Sequence, residues 1–311
     1  MRDKNYVVAI LRLLACYAVI SIHFRPAIPF SNLAVPIFVV LAFTFWHPSR
    51  GLGHRIMRLL IPYITWGIVG CGIRFIRDRS FDYKILLTQL TCGQGGNSPL
   101  YFLLLVMILS ACVYTLHRMT KHWIVALWIF AIISIILQYS GMNVNIFNNG
   151  RFGDYYSTTF GRLAEFVPYV ALGSNVGDRI QRCNGVLNLK PYLHMYERRI
   201  IWIVVGSVVL LLVDSMYDVK GFGYSGVSNF IAVVTIIIVT FSIKVRGSKC
   251  LRGCFWLSTF TGGIYYVHKL IGSIFTCLHL TGVILTLTTF ILSFIVTFVI
   301  SKLKGFNVFV K

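Results

Sequence analysis

The stretch LRLLACYAVISIHF, residues 11–24, decides how this chain is read. It has the apolar density of a membrane-spanning helix, interrupted by Arg12 near its start and His23 near its end. A helix advances about 100° per residue, so eleven steps bring these two side chains to within roughly 20° of one another, about 16 Å apart along the axis. An arginine at the centre of a bilayer costs on the order of 3 kcal/mol even on the mildest scale, so it normally faces protein or a wet cavity. A cation and an imidazole on one stripe predict a lined passage.

The rest of the 311-residue chain extends this reading. It is 57% hydrophobic and 12% charged, whereas a soluble domain is about one-quarter charged. Apolar runs near bilayer length recur at roughly 6–24, 33–46, 57–73, 100–117, 123–139, 162–177, 200–214, 228–243, 257–278 and 282–301. The expected fold class is therefore all-α, a polytopic transmembrane helical bundle of about ten spans. Arg12 interrupts the first apolar run and no small-residue cleavage site follows it, which predicts a retained first span rather than a signal peptide.

The net charge of +20 points to membrane orientation rather than to nucleic acid. Of the 29 Lys and Arg residues, 19 fall in one alternate set of connections together with both termini, seven fall in the opposite set, and Arg12, Arg162 and Lys269 lie within spans. The positive-inside rule then makes both termini cytoplasmic. The exception is the cluster from Arg74 to Lys84, read either as an outer connection or as an interfacial helix. No basic run interleaved with aromatics appears, and membrane lipid is the expected surrounding. The eight cysteines lack paired metal-ligand spacing; Cys250 and Cys254 are a lone C-x3-C, and no metal is expected. The expected outer segments TCGQGGNSP (91–99), NVNIFNNGRFGDYYSTT (143–159) and GFGYSGVSN (221–229) are rich in turn residues, which also suit sugar hydroxyls.

Other positions carry chemistry beside Arg12 and His23. Arg55 and Arg58, in GLGHRIMRLLIPY (51–63), share a helical face. They serve either as positive-inside anchors or as a clamp for a phosphorylated ligand, which arginine forks bind bidentately. Arg162 and Glu165, in GRLAEFVPYVALG (161–173), are either a structural ion pair or an acid/base group with the neighbour that tunes it. His268 and Lys269 interrupt the ninth span in TGGIYYVHKLIG (261–272), where a histidine is either hydrogen-bonded core or part of a site. Together these positions outline a path, with arginines at the cytoplasmic mouth, Arg12 deeper and His23 near the outer face.

R-x10-H in the first span, PIFVVLAF in the second, R-x2-R at the third, SPLYFLLLVMI for the fourth and YYVHKLIG near the end resemble the integral-membrane acyltransferase family 3. The likeness runs from about residue 6 to 300. It departs in the second span, which has FVVLAFTFW where many members have a Ser-Gly pair. It implies transfer of an acyl group, most often acetyl, from cytoplasmic acyl-CoA to hydroxyls of a surface polysaccharide or lipid-linked glycan. The chain resembles the stand-alone type, such as O-antigen O-acetyltransferases, with one integral-membrane domain over 1–311 and no soluble C-terminal domain. A bacterial cytoplasmic (inner) membrane location is implied with it.

In those terms His23 is the general base or transient acyl carrier, and Arg12 aligns the thioester or its oxyanion. Arg55 and Arg58 bind CoA phosphates; Glu165 and His268 complete the catalytic set. Acetyl-CoA is the cosubstrate. The competing reading is a polysaccharide polymerase or a transporter of glycan precursors. A polymerase would place its arginines in large outer loops, yet the segment around 140–161 holds only Arg151. A transporter would show paired half-repeats, and none is found.

Overall fold

The computed structural model describes residues 5–24, 31–79, 82–94, 100–139, 150–182, 205–206, 209, 227–242, 245, 247–277 and 281–303. Eleven α-helices and no strand occur among the described residues. They are α1 (Tyr6–His23), α2 (Ala34–Thr44), α3 (Gly53–Asp78), α4 (Tyr83–Cys92), α5 (Tyr101–Met119), α6 (Trp123–Tyr139), α7 (Gly150–Arg182), α8 (Val227–Ser242), α9 (Lys249–Ser258), α10 (Thr261–Cys277) and α11 (Gly282–Lys302). Apart from residues 205, 206 and 209, the span expected at 200–214 lies outside the described residues.

Four of these helices, α1, α3, α5 and α11, are long and apolar enough to cross a membrane. The apolar parts of α2, α6 and α8 are shorter. Large aliphatic side chains cover their outer faces: Ile129, Ile133 and Ile136 on α6, and Ile284, Ile291 and Ile295 on α11, are all exposed. Apolar faces of that extent suit hydrocarbon, where each helix satisfies its own backbone. The all-α membrane bundle expected from the sequence is thus the observed architecture.

Boundaries moved where side chains outside the local pattern intervene. The segment 143–159, expected to be a connection, is helical from Gly150 onward. Its Thr159 is fully buried, donates to the Cys92 carbonyl at 3.0 Å and accepts from Gln94 Nε2 at 2.9 Å. The cluster from Arg74 to Lys84 divides between two helices. Arg74 and Arg77 bond Asp78 at the end of α3, and Asp82 caps α4 through the Lys84 N–H.

The span expected at 257–278 is two helices, α9 and α10, broken at Thr259–Phe260. Hydroxyls serve the freed carbonyls there: Ser258 donates to Phe255 O, Thr259 to Trp256 O and Thr261 to Ser258 O.

In a bilayer, helices associate by close packing rather than by escape from water, which favours small residues at contacts. The pair α2 and α7 is the clearest case. A Cβ at Gly173 would lie 2.5 Å from Val40 O, and one at Gly177 would lie 2.7 Å from Thr44 O. These glycines, one turn apart, let the two backbones meet. The contact carries Asp178 to 3.6 Å from His47 Nε2, just beyond the end of α2.

His47 Nδ1 accepts from the Ser49 N–H at 3.2 Å, and its ring lies 5.5 Å from that of His117. Arg182 Nε donates to the other Asp178 oxygen at 2.8 Å.

Two outcomes follow from this packing. Gly173→Leu should destabilise the bundle by about 1–3 kcal/mol or more through overpacking. Thermal unfolding in detergent measures it, and an unchanged midpoint would remove the role given to the glycines. The second concerns pH. Burial, with His117 next, holds the His47 imidazole below its ordinary value of 6.5. The folded state therefore binds fewer protons than the unfolded one, and His47 contributes stability that is lost as pH falls below about 6.5. Melting profiles against pH should decline there, and His47→Gln should flatten the decline.

Candidate active site

The first helix is continuous from Tyr6 to His23, its start fixed by Asn5 accepting from the Val8 N–H at 3.0 Å. Arg12 and His23 therefore do share one face. They do not share one pocket. Arg12 is one turn from Cys16, whose thiol lies 3.8 Å from Thr261 O, beside the break between α9 and α10. His23 ends the helix at the other side, facing the middle of α10.

There the ring of His23 lies 5.3 Å from that of His268, tilted by 33°. His268 is sealed from solvent. Its Nδ1 donates to the Tyr265 carbonyl at 2.7 Å, one turn earlier, which leaves Nε2 as an acceptor, buried and without a hydrogen-bond partner. His23, by contrast, is exposed to a cavity of about 440 Å³. Small-molecule sites run from about 300 to 1,000 Å³. Lys269, Ser273 and Thr276 line it from α10, and Phe24 and Leu285 supply apolar wall.

Gly272 is what permits this seam. The Phe24 ring occupies the place where its Cβ would be.

The other expected residues sit elsewhere. Arg55 is built into the packing of α2, α3 and α5. Its Nε donates to Ser110 Oγ at 2.7 Å, and its guanidinium lies 4.5 Å from the Trp46 ring and 5.0 Å from that of Phe43. One terminal nitrogen, Nη2, is buried with no partner. Arg58 is exposed and lies within electrostatic reach of Tyr266 on α10. Helix α10 thus presents Tyr266 toward Arg58 and His268 toward His23.

Glu165 does not line the cavity. It is half-buried on α7, one turn before Tyr169. Its neighbour Phe166 stacks edge-on with Phe102, which meets Tyr265 of α10 at 5.6 Å. Arg162, read in the sequence beside Glu165, donates to Tyr101 OH at 2.6 Å and lies over that ring.

The sequence reading did not assign Lys269, Ser273 and Thr276 to the site. Their spacing of four and three residues was the available signal, since it sets all three on one face of α10.

A histidine-bearing cavity thus lies on one side of α10 and Arg58 on the other. The family model for the acyltransferase domain of family 3 matches residues 5–303, nearly the whole chain. The chain belongs to acyltransferase family 3. No curated protein and no solved structure matches it. For this acyltransferase, the cavity face of His23, backed by the buried His268, is the candidate reaction centre.

The Gly272–Phe24 contact makes that centre sensitive to a single methyl group. Gly272→Ala should push Phe24 aside and move the adjoining His23, lowering transferase activity at matched expression. Activity equal to wild type would show that the seam does not position His23.

Proposed function

We propose that this membrane acyltransferase is an O-acetyltransferase of a bacterial inner membrane, with both termini cytoplasmic. It takes acetyl from cytoplasmic acetyl-CoA and delivers it to a hydroxyl of a surface polysaccharide or lipid-linked glycan such as an O-antigen. The observation that carries the reading is His23 on the wall of a cavity with the buried ring of His268 packed behind it, in a chain of this family.

Acyl transfer from a thioester to an alcohol needs a base, a stabiliser for the developing oxyanion and a dock for an anionic donor. His23 removes the hydroxyl proton as the oxygen attacks the thioester carbonyl, and the CoA thiolate leaves. The unpartnered Nε2 of His268 supplies a neighbouring acceptor for that proton. Arg58, with the free Nη2 of Arg55, meets CoA phosphates. Arg12, on the same face of α1 as His23, aligns the thioester. Glu165 acts from α7 on the helix packing around Tyr169. Transfer by an acyl-His23 intermediate would use the same residues, with His23 Nε2 or Nδ1 taking the acetyl group before the sugar does.

Membranes supplied with acetyl-CoA labelled on its acetyl group should deposit label in the glycan fraction. His23→Ala should lower this by about 10²–10⁴-fold, the usual worth of a general base, at unchanged protein level. Label that persists in His23→Ala would end the assignment. Altered glycan chain length or export with no label would favour a polymerase or transporter instead. Arg58→Ala should raise the acetyl-CoA concentration for half-maximal rate about tenfold or more, the worth of one charged hydrogen bond. An unchanged requirement would remove Arg58 from the donor site.

A further inference from the structure

Lys269 stands beside His23 on the cavity wall, one residue after His268 and half-buried within the bundle. Among the described residues its ammonium has neither an ion pair nor a hydrogen bond. The helices around it offer no counter-charge. Neither α1, α10 nor α11 contains an acidic residue, and none occurs anywhere after Asp218. An ionised group inside a membrane protein is costly unless it is paired or faces a wet passage. Ser273 and Thr276 follow on the same face, their protons already donated to Lys269 O and Gly272 O. Their oxygens are therefore left to accept from sugar hydroxyls.

We propose that the cavity takes an anionic acceptor glycan, whose carboxylate or phosphate oxygen pairs with Lys269 while the hydroxyl to be acylated lies at His23. The inference rests on the acyl-transfer reading and adds the charge of its acceptor. Lys269 is then a specificity-determining residue.

The test reads occupancy of the cavity without turnover, so its failure is distinct from failure of the acyl-transfer reading. Diethyl pyrocarbonate modifies exposed imidazoles, and mass spectrometry follows the modification of His23 in the full chain in neutral detergent. Methyl glucuronoside and glucose 1-phosphate are the anionic probes, methyl glucoside the neutral one and succinate the non-sugar anion.

At least one anionic sugar should protect His23 at concentrations where methyl glucoside does not. Protection by the glucuronoside identifies a carboxylate, and protection by the phosphate identifies a phosphate. Lys269→Gln, with rates normalised to its own unprotected modification, should raise the half-protecting concentration roughly tenfold or more, and Lys269→Arg should restore it.

Equal protection by the neutral glucoside, no protection by either sugar anion, or protection unchanged in Lys269→Gln would overturn the proposal. Protection by succinate alone would move the anion to the acyl group and overturn it equally.

Discussion

An ionisable side chain inside hydrocarbon must find a partner or a wet cavity, and the arrangement of this bundle follows from that requirement. Three of the helix-borne cations meet it differently. Arg162 donates to Tyr101 and lies over its ring. Arg55 is held by Ser110 between two aromatic rings. Lys269 borders a cavity. The first two are held by the protein's own groups, with Arg55 keeping one terminal nitrogen, Nη2, without a partner. The third is open, and a cation beside an imidazole on a cavity is the feature on which the proposed acceptor site rests.

Helix α10 is the element on which these demands converge. Its backbone supplies the Tyr265 carbonyl that orients His268, and its Gly272 admits the Phe24 ring from the end of α1. The hydroxyl-rich break before Thr261 frees α10 from α9, so that each helix keeps its own direction. A single long helix over the same residues would carry the basic start of α9 straight into the span. The break leaves Lys249 and Arg252 on a short helix, while the His268 face of α10 stays in the bundle.

Close backbone packing does for the opposite end what α10 does for the cavity. Gly173 and Gly177 bring α7 against the carbonyls of Val40 and Thr44, and the same approach delivers Asp178 to His47. The result is a bundle with a polar cluster of His47, His117 and Asp178 at one end and the His23 cavity at the other. Arg58 sits on α3 near its start, on the Tyr266 side of α10. A donor held there and an acceptor at His23 would meet across one helix.

Most of the architecture was legible in the chain because hydrophobicity in a membrane protein is local information. Runs such as 6–24 and 282–301 were readable as helices without knowledge of their neighbours. Arg12 and His23 share a face for the same reason, since helical periodicity is a property of one segment. The polar helix from Gly150 escaped, because Thr159 is held by Cys92 and Gln94 from another helix. So did Asp178 with His47, and the GSNVG spacing behind them, whose meaning depends on which backbone lies opposite.

The candidate site divides likewise. The sequence alone determined a helical membrane protein with a base-bearing first span and a histidine near its end. Only tertiary structure decided that His23 faces His268 rather than Glu165, that Arg55 is enclosed while Arg58 is exposed, and that Lys269 opens on a cavity. Residues 23 and 268 belong to helices far apart in the chain, and their separation is set by packing that no local periodicity encodes.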